Sequence, residues 1–209
     1  IGVSQKLMTR ALSKATGVDE DILAYKLMGE WNPARISFQN LVLDEKAQDS
    51  QSKPYPFYLA YAMEGEPESL GDVAQWSAEH KWDGIRSQTI IREGKLYVWS
   101  RGEELVTDKY PEFNYFLGII PDGTVLDGEI LPFIDGKIGT FNYLQTRIGR
   151  KTVSPALIKK TPVIIKAYDL LEWNGEDIRT CPYEERRQLL EQLYEQVKTF
   201  AIPLHLSER

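Results

Sequence analysis

The stretch Glu79-His80-Lys81-Trp82-Asp83-Gly84-Ile85-Arg86 sets an amine, two carboxylates, an imidazole and a guanidinium within eight residues. A lysine amine attacks phosphorus only when neutral, and its ordinary pKa of about 10.4 leaves it almost wholly protonated near neutrality. A site that uses it must supply nearby cations or desolvation, for which Arg86, Arg101 and a divalent metal are candidates. Asp83, two residues on, shares a side with Lys81 if the backbone is extended, where it would orient the amine yet raise its pKa; its net role stays open. An isolated Lys-x-Asp-Gly is equally well a surface lysine before a turn glycine, so the rest of the chain must decide.

Three later pieces supply context: Ser100-Arg101-Gly102-Glu103, then Leu126-Asp127-Gly128-Glu129-Ile130, then Ala167-Tyr168-Asp169-Leu170-Leu171 followed by Asn174-Gly175. In this order and spacing they resemble motifs I, Ia, III and IIIa of the covalent nucleotidyltransferases, which are the ATP-dependent DNA ligases, RNA ligases and messenger-RNA capping enzymes. Residues 2–28, 56–62, 99–107, 144–151 and 168–177 further resemble bacterial ATP-dependent DNA ligases with an N-terminal helical DNA-binding domain. The resemblance covers nearly the whole chain.

The resemblance implies that Lys81 is the nucleophile that takes AMP from ATP, with Mg2+ and cationic side chains neutralising charge on the phosphoryl oxygens. It implies that Glu79, or backbone near it, reads the adenine edge, that Arg86 approaches the sugar, and that Arg101 contacts sugar or phosphate. A guanidinium suits both tasks because it presents several donors in a fixed fork, although either arginine could be a surface ion pair. Glu129 matches the carboxylate near ribose and metal, since Mg2+ takes few protein oxygens; a turn with a solvated carboxylate is the plainer alternative. Tyr168 matches the aromatic that stacks on adenine, against ordinary sheet core. Asp169 receives no role. Trp82, Trp99 and Trp173 adjoin these motifs, but core packing explains them equally well, and Cys181 before Pro182 reads as inert.

Elements must hold these residues. Val3, Leu7, Ala11 and Leu12 fall near one helical face before Gly17, and a second helix follows with Asp19 as cap, Ile22, Leu23 and Leu27 as stripe and Gly29 as stop. Residues 46–55 lack periodicity and read as a linker. Beyond them, strands are expected at 84–92, 95–100, 125–134 and 163–171, with turns at Glu93-Gly94, Asp122-Gly123 and Asp135-Gly136. Helices are expected at 108–116, 143–148 and 183–198. The fold class is therefore α+β: a mostly antiparallel-sheet nucleotidyltransferase domain, ATP-grasp-like in its adenylation role, preceded by a small all-α segment. Domain boundaries follow: 1–45 as the end of a helical DNA-binding domain, 46–55 as linker, and 56–209 as the adenylation domain.

The 209 residues are 42% hydrophobic, enough for a real core. One cysteine excludes an internal disulfide framework, and with two histidines it leaves little for a zinc site. No apolar run is long enough to span a bilayer and the cysteine usage fits a reducing compartment, so the chain is expected to be cytoplasmic without membrane association; a monomer is expected as well. The net charge of −6 hides an uneven distribution, because residues 136–166 carry seven Lys and Arg and no acid. That island fits the phosphates of nicked double-stranded DNA, with Arg147, Arg150 and Lys151 as the DNA-facing residues, or it is simply a solvated face. The chain stops after Leu206-Ser207-Glu208-Arg209 with nothing resembling motifs IV to VI, so it is expected to be a fragment that cannot seal nicks alone. Other readings are an RNA ligase or capping-type enzyme, and a nucleic-acid-binding module that has lost catalysis. NAD-dependent ligases carry zinc cysteines that this composition lacks.

Overall fold

Ser4 and Gly17 bracket the first helix, α1 (Gln5–Thr16). The Ser4 hydroxyl accepts from Leu7 N, and Gly17, at φ 75°, closes the end by donating to Ser13 O. Asp19 caps α2 (Glu20–Leu27) by accepting from Ile22 N at 3.2 Å, as its position predicts. The computed structural model describes residues 2–27, 32–44, 52–58, 60–102, 104–150 and 152–209, so Gly29 and residues 46–51 of the expected linker lie outside the described residues. The chain divides into two compact units, Ile1–Lys53 and Pro54–Arg209. In the first, Leu23 and Val42 are buried, and Lys26 donates its ammonium to the carbonyls of Val42 and Asp44. Residues 52–55, expected as linker, are packed in their own units. Lys53 donates to Lys26 O, and the Tyr55 amide and carbonyl pair with the two ends of the Gln88 side-chain amide.

The second unit is a seven-stranded sheet with α+β architecture. Its strands are β1 (Ile85–Arg92), β2 (Lys95–Ser100), β3 (Thr124–Ile134), β4 (Lys137–Ile138), β5 (Val163–Trp173), β6 (Glu176–Asp177) and β7 (Leu204–Leu206). The order β2-β1-β3-β5-β6 is antiparallel throughout, β4 pairs with β3, and β7 joins β5 in parallel. Glu93 and Gly94 both take positive φ in the β1–β2 turn, and the Asp122 carboxylate holds the turn by accepting both of their amides.

One face of the sheet carries the core: Ile91, Leu126, Ile130, Ile165, Ala167 and Leu170 meet Leu190, Leu193 and Val197 of α5 (Tyr183–Val197). Two short helices, α3 (Asn142–Ile148) and α4 (Pro155–Lys160), lie in the basic island. The helix expected at 108–116 is instead two 3-10 turns, Thr107–Lys109 and Pro111–Phe116. Pro111 has no N–H to give and disfavours helical geometry at Tyr110, so the run breaks there. The sequence reading omits α4, although Ser154-Pro155 is an N-cap followed by a proline at the first helical position, and the Ser154 hydroxyl does accept from Leu157 N.

Candidate active site

Strand pairing puts directly opposed residues on one face, and the register aligns Arg86 of β1 with Glu129 of β3 and Glu129 with Lys166 of β5 in antiparallel pairs, and Lys166 with His205 of β7 in a parallel one. This polar row runs across the face opposite the core. Above it opens a cleft of about 790 Å3 lined by Tyr58, Ala60, residues 79–84, Arg86, Arg101, Glu129 and Tyr168. All six residues expected around a nucleotide, Glu79, Lys81, Arg86, Arg101, Glu129 and Tyr168, therefore line one cavity.

Two glycines let the strands approach closely enough to form it. A Cβ on Gly84 would lie 2.3 Å from Ile130 O, and one on Gly128 would lie 2.6 Å from Lys166 O. With Gly84 in place, its amide donates to Glu129 Oε1 at 3.0 Å. Burial pushes the Glu129 carboxyl up to about 7, against the opposing pull of the Gly84 amide, Arg86 and Lys81.

Arg86 binds Asp127 in a two-pronged pair, Nε to Oδ1 at 3.2 Å and Nη2 to Oδ2 at 2.9 Å, and its Nη1 donates to Tyr58 O. The Tyr168 hydroxyl donates to the same Asp127 Oδ1 at 3.2 Å, and burial beside that carboxylate raises its pKa. Asp127 thus fixes both the guanidinium and the aromatic ring. The sequence reading gave it no role, yet a carboxylate inside the apolar run Val125-Leu126-Asp127 signals a buried partner. Arg101 follows β2, where its amide donates to Arg86 O at 3.0 Å; its side chain is exposed and makes no hydrogen bond or ion pair among the described residues. Glu103 of the same motif lies outside the described residues.

Lys81 is exposed at the cleft wall, in a segment with no regular secondary structure. Glu79 accepts from the Tyr183 hydroxyl, whose pKa burial and that carboxylate push up to about 12. Asp169, left without a role, binds Arg186 through both oxygens at 2.9 and 2.8 Å and so ties β5 to α5. The carboxylates lining the cleft are Glu79, Asp83 and Glu129, and no group of three or more metal-ligating side chains occurs among the described residues.

The basic island divides. Arg147 is not available to a phosphate: its side chain is fully buried, paired with both oxygens of Glu112 and donating to the carbonyls of Thr161 and Lys109. The expected DNA contact is therefore corrected to an internal strut, since a buried guanidinium with a carboxylate and two carbonyls has satisfied its main donors. Arg150, Lys159 and Lys160 are exposed, and Lys151 lies outside the described residues.

A family model described as the ATP dependent DNA ligase domain matches residues 58–205. A probable DNA ligase of Koribacter versatilis is 31% identical over 199 residues, covering 93% of this chain and 34% of that protein. A DNA ligase of Methanosphaera stadtmanae is 28% identical over 198 residues, covering 92% of this chain and 35% of its own length. The crystal structure of the ligase domain of LigD from M. tuberculosis shares 30% identity, covering 62% of this chain and 39% of that one, with a TM-score of 0.49. The chain thus spans about a third of the length of the curated relatives it matches.

Proposed function

Because the chain belongs to the ATP-dependent DNA ligase domain family, we propose that its cleft carries out the adenylation chemistry of DNA nick sealing. One observation carries the reading: an exposed lysine, two arginines, a carboxylate of raised pKa and a tyrosine ring line one cavity. In its neutral form Lys81 attacks the α-phosphorus of ATP; a P–N bond forms, the P–O bond to pyrophosphate breaks, and the now cationic nitrogen loses one N–H proton to solvent or pyrophosphate. Arg101, with no partner among the described residues, is free to meet sugar or phosphate oxygens. Arg86 keeps its grip on Asp127 while its remaining N–H groups face the nucleotide sugar. Tyr168 stacks on the base, and Glu79 with its adjoining backbone borders the adenine edge. Mg2+, when bound, neutralises phosphate charge, and Glu129 is the residue to hold it.

In the whole protein, AMP would then pass from Lys81 to the 5′-phosphate of a nick, and attack by the 3′-hydroxyl would seal the strand. Residues 1–45 would be the end of a helical DNA-binding domain, 46–55 its connection, and 56–209 the adenylation domain of a cytoplasmic, monomeric enzyme. Arg150 and Lys151 would hold duplex phosphates.

The test incubates this chain, and a longer form carrying the rest of the ligase, with radiolabelled ATP and Mg2+, followed by denaturing electrophoresis. An acid-labile covalent label that vanishes in Lys81→Ala is expected. Absence of label from both forms, or label that survives Lys81→Ala, would overturn the reading. Nicked duplexes of DNA and of RNA offered to the labelled protein then separate a DNA ligase from an RNA ligase, with sealing of DNA expected.

A further inference from the structure

The lysine on the wall of this cleft sits on a segment that the sheet does not hold. Residues 77–83 make no backbone-to-backbone hydrogen bond among the described residues, and pairing with β3 begins only at Ile85. A lysine side chain has four rotatable carbons, and without a fixed backbone beneath it the amine would sample a wide volume. Something else must fix that backbone.

The neighbouring tryptophan is gripped from three sides. Its Nε1 donates to the Ser207 hydroxyl at 3.0 Å. The Lys166 ammonium stands 4.7 Å from its ring centre, and the His80 ring lies 4.2 Å away in a tilted contact. The grips are themselves anchored: Ser207 donates its amide to Ala167 O and accepts on its carbonyl from Arg187 of α5, while Lys166 is buried in β5 and paired with Glu208 at 2.5 Å. Five tryptophans occur in the chain, but a ring bound at once by a hydroxyl, an ammonium and an imidazole does more than fill core volume.

We propose that Trp82 is a positioning residue for Lys81: its indole, clamped by Ser207 and Lys166, keys the ladder-free segment to β5 and so aims the neighbouring amine into the cleft. The proposal rests on the reading of Lys81 as the nucleotide-facing amine. It requires a flat ring with an N–H at position 82 and a cation at position 166; an aliphatic residue of similar bulk at position 82 fills space without the clamp.

The experiment uses the chain after reductive methylation of its lysines with 13C-formaldehyde, which keeps their charge, and follows the dimethylamine signals by NMR. Lys81→Arg identifies the Lys81 signal by its loss. ATP is then titrated into the wild type, Trp82→Phe, Trp82→Leu and Ser207→Ala. The expected result is a Lys81 signal that ATP displaces in the wild type, displaces less in Trp82→Phe and Ser207→Ala, and leaves unmoved in Trp82→Leu. The signal of Lys95, at the far end of β2 from the cleft, and the thermal midpoint serve to show that Trp82→Leu remains folded. Equal displacement of the Lys81 signal in all four proteins would overturn the positioning role while keeping the nucleotide reading. A wild-type Lys81 signal indifferent to ATP would overturn that nucleotide reading itself. Should Trp82→Leu fail to fold, Ser207→Ala and Trp82→Phe decide: undiminished displacement in both rejects the clamp.

Discussion

Glu129 illustrates how one side chain ties stability to chemistry. Its carboxyl titrates near 7 in the folded chain against 4.5 for an ordinary glutamate, because burial outweighs the Gly84 hydrogen bond. Between those values the folded carboxyl keeps a proton that the unfolded one has lost, so its contribution to stability is complete below 4.5 and disappears as pH rises through 7. In metal-free buffer, urea midpoints measured from about pH 5 to about pH 8 should fall more steeply for the wild type than for Glu129→Gln. A cation bound by Glu129 displaces the same proton, so added Mg2+ should flatten the wild-type profile. Gly84 beside it is fixed by space: a Cβ there would meet Ile130 O at 2.3 Å, a backbone atom that cannot step aside. Gly84→Ala should therefore cost about 1–3 kcal/mol of stability, read by chemical denaturation, and weaken the Glu129 contact with it.

Between elements, buried charge pairs do what apolar packing does elsewhere. Arg147 of α3 reaches Glu112 in the 3-10 turn Pro111–Phe116 and lies over the Tyr110 ring at 5.1 Å. Removing one partner leaves the other charge buried, so Arg147→Ala should destabilise the chain by about 3–5 kcal/mol in denaturant melts. A residue serving only DNA would leave the melt unmoved and change the salt dependence of binding instead. Arg186 and Asp169 join α5 to β5 in the same two-pronged manner, though both are partly exposed and their pair should count for less.

Across the molecule, the cleft and the hydrophobic core both lie within Pro54–Arg209. A chain starting at Pro54 should fold with native far-ultraviolet dichroism and bind ATP with the affinity of the 209-residue chain; loss of either would show that residues 1–53 complete the site. In the proposed function the exposed Arg150, with Lys151, would carry part of the electrostatics of DNA binding. Replacing Arg150 by alanine should reduce the slope of log affinity against log salt by about one, measured on nicked duplex, with no preference among sequences.

The sequence by itself determined the four long strands, their turns and the motif residues that line the cleft, but not the two- and three-residue strands β4, β6 and β7. Apolar runs bounded by turn pairs such as Glu93-Gly94 are local signals, and Lys81, Arg86, Glu129 and Tyr168 sit in motifs whose order survives without coordinates. Only the tertiary structure decided which charges face solvent. Arg147 and Arg150 look alike in one basic run, yet Arg147 sits on α3 and is buried against Glu112, 35 positions earlier, while Arg150 lies past the end of that helix and is exposed. Asp127 and Trp82 acquired their roles in the same way. Their partners, Arg86, Tyr168, Ser207 and Lys166, lie far away in the sequence, and side-chain hydrogen bonds between residues 41 or 125 positions apart leave no trace in local periodicity.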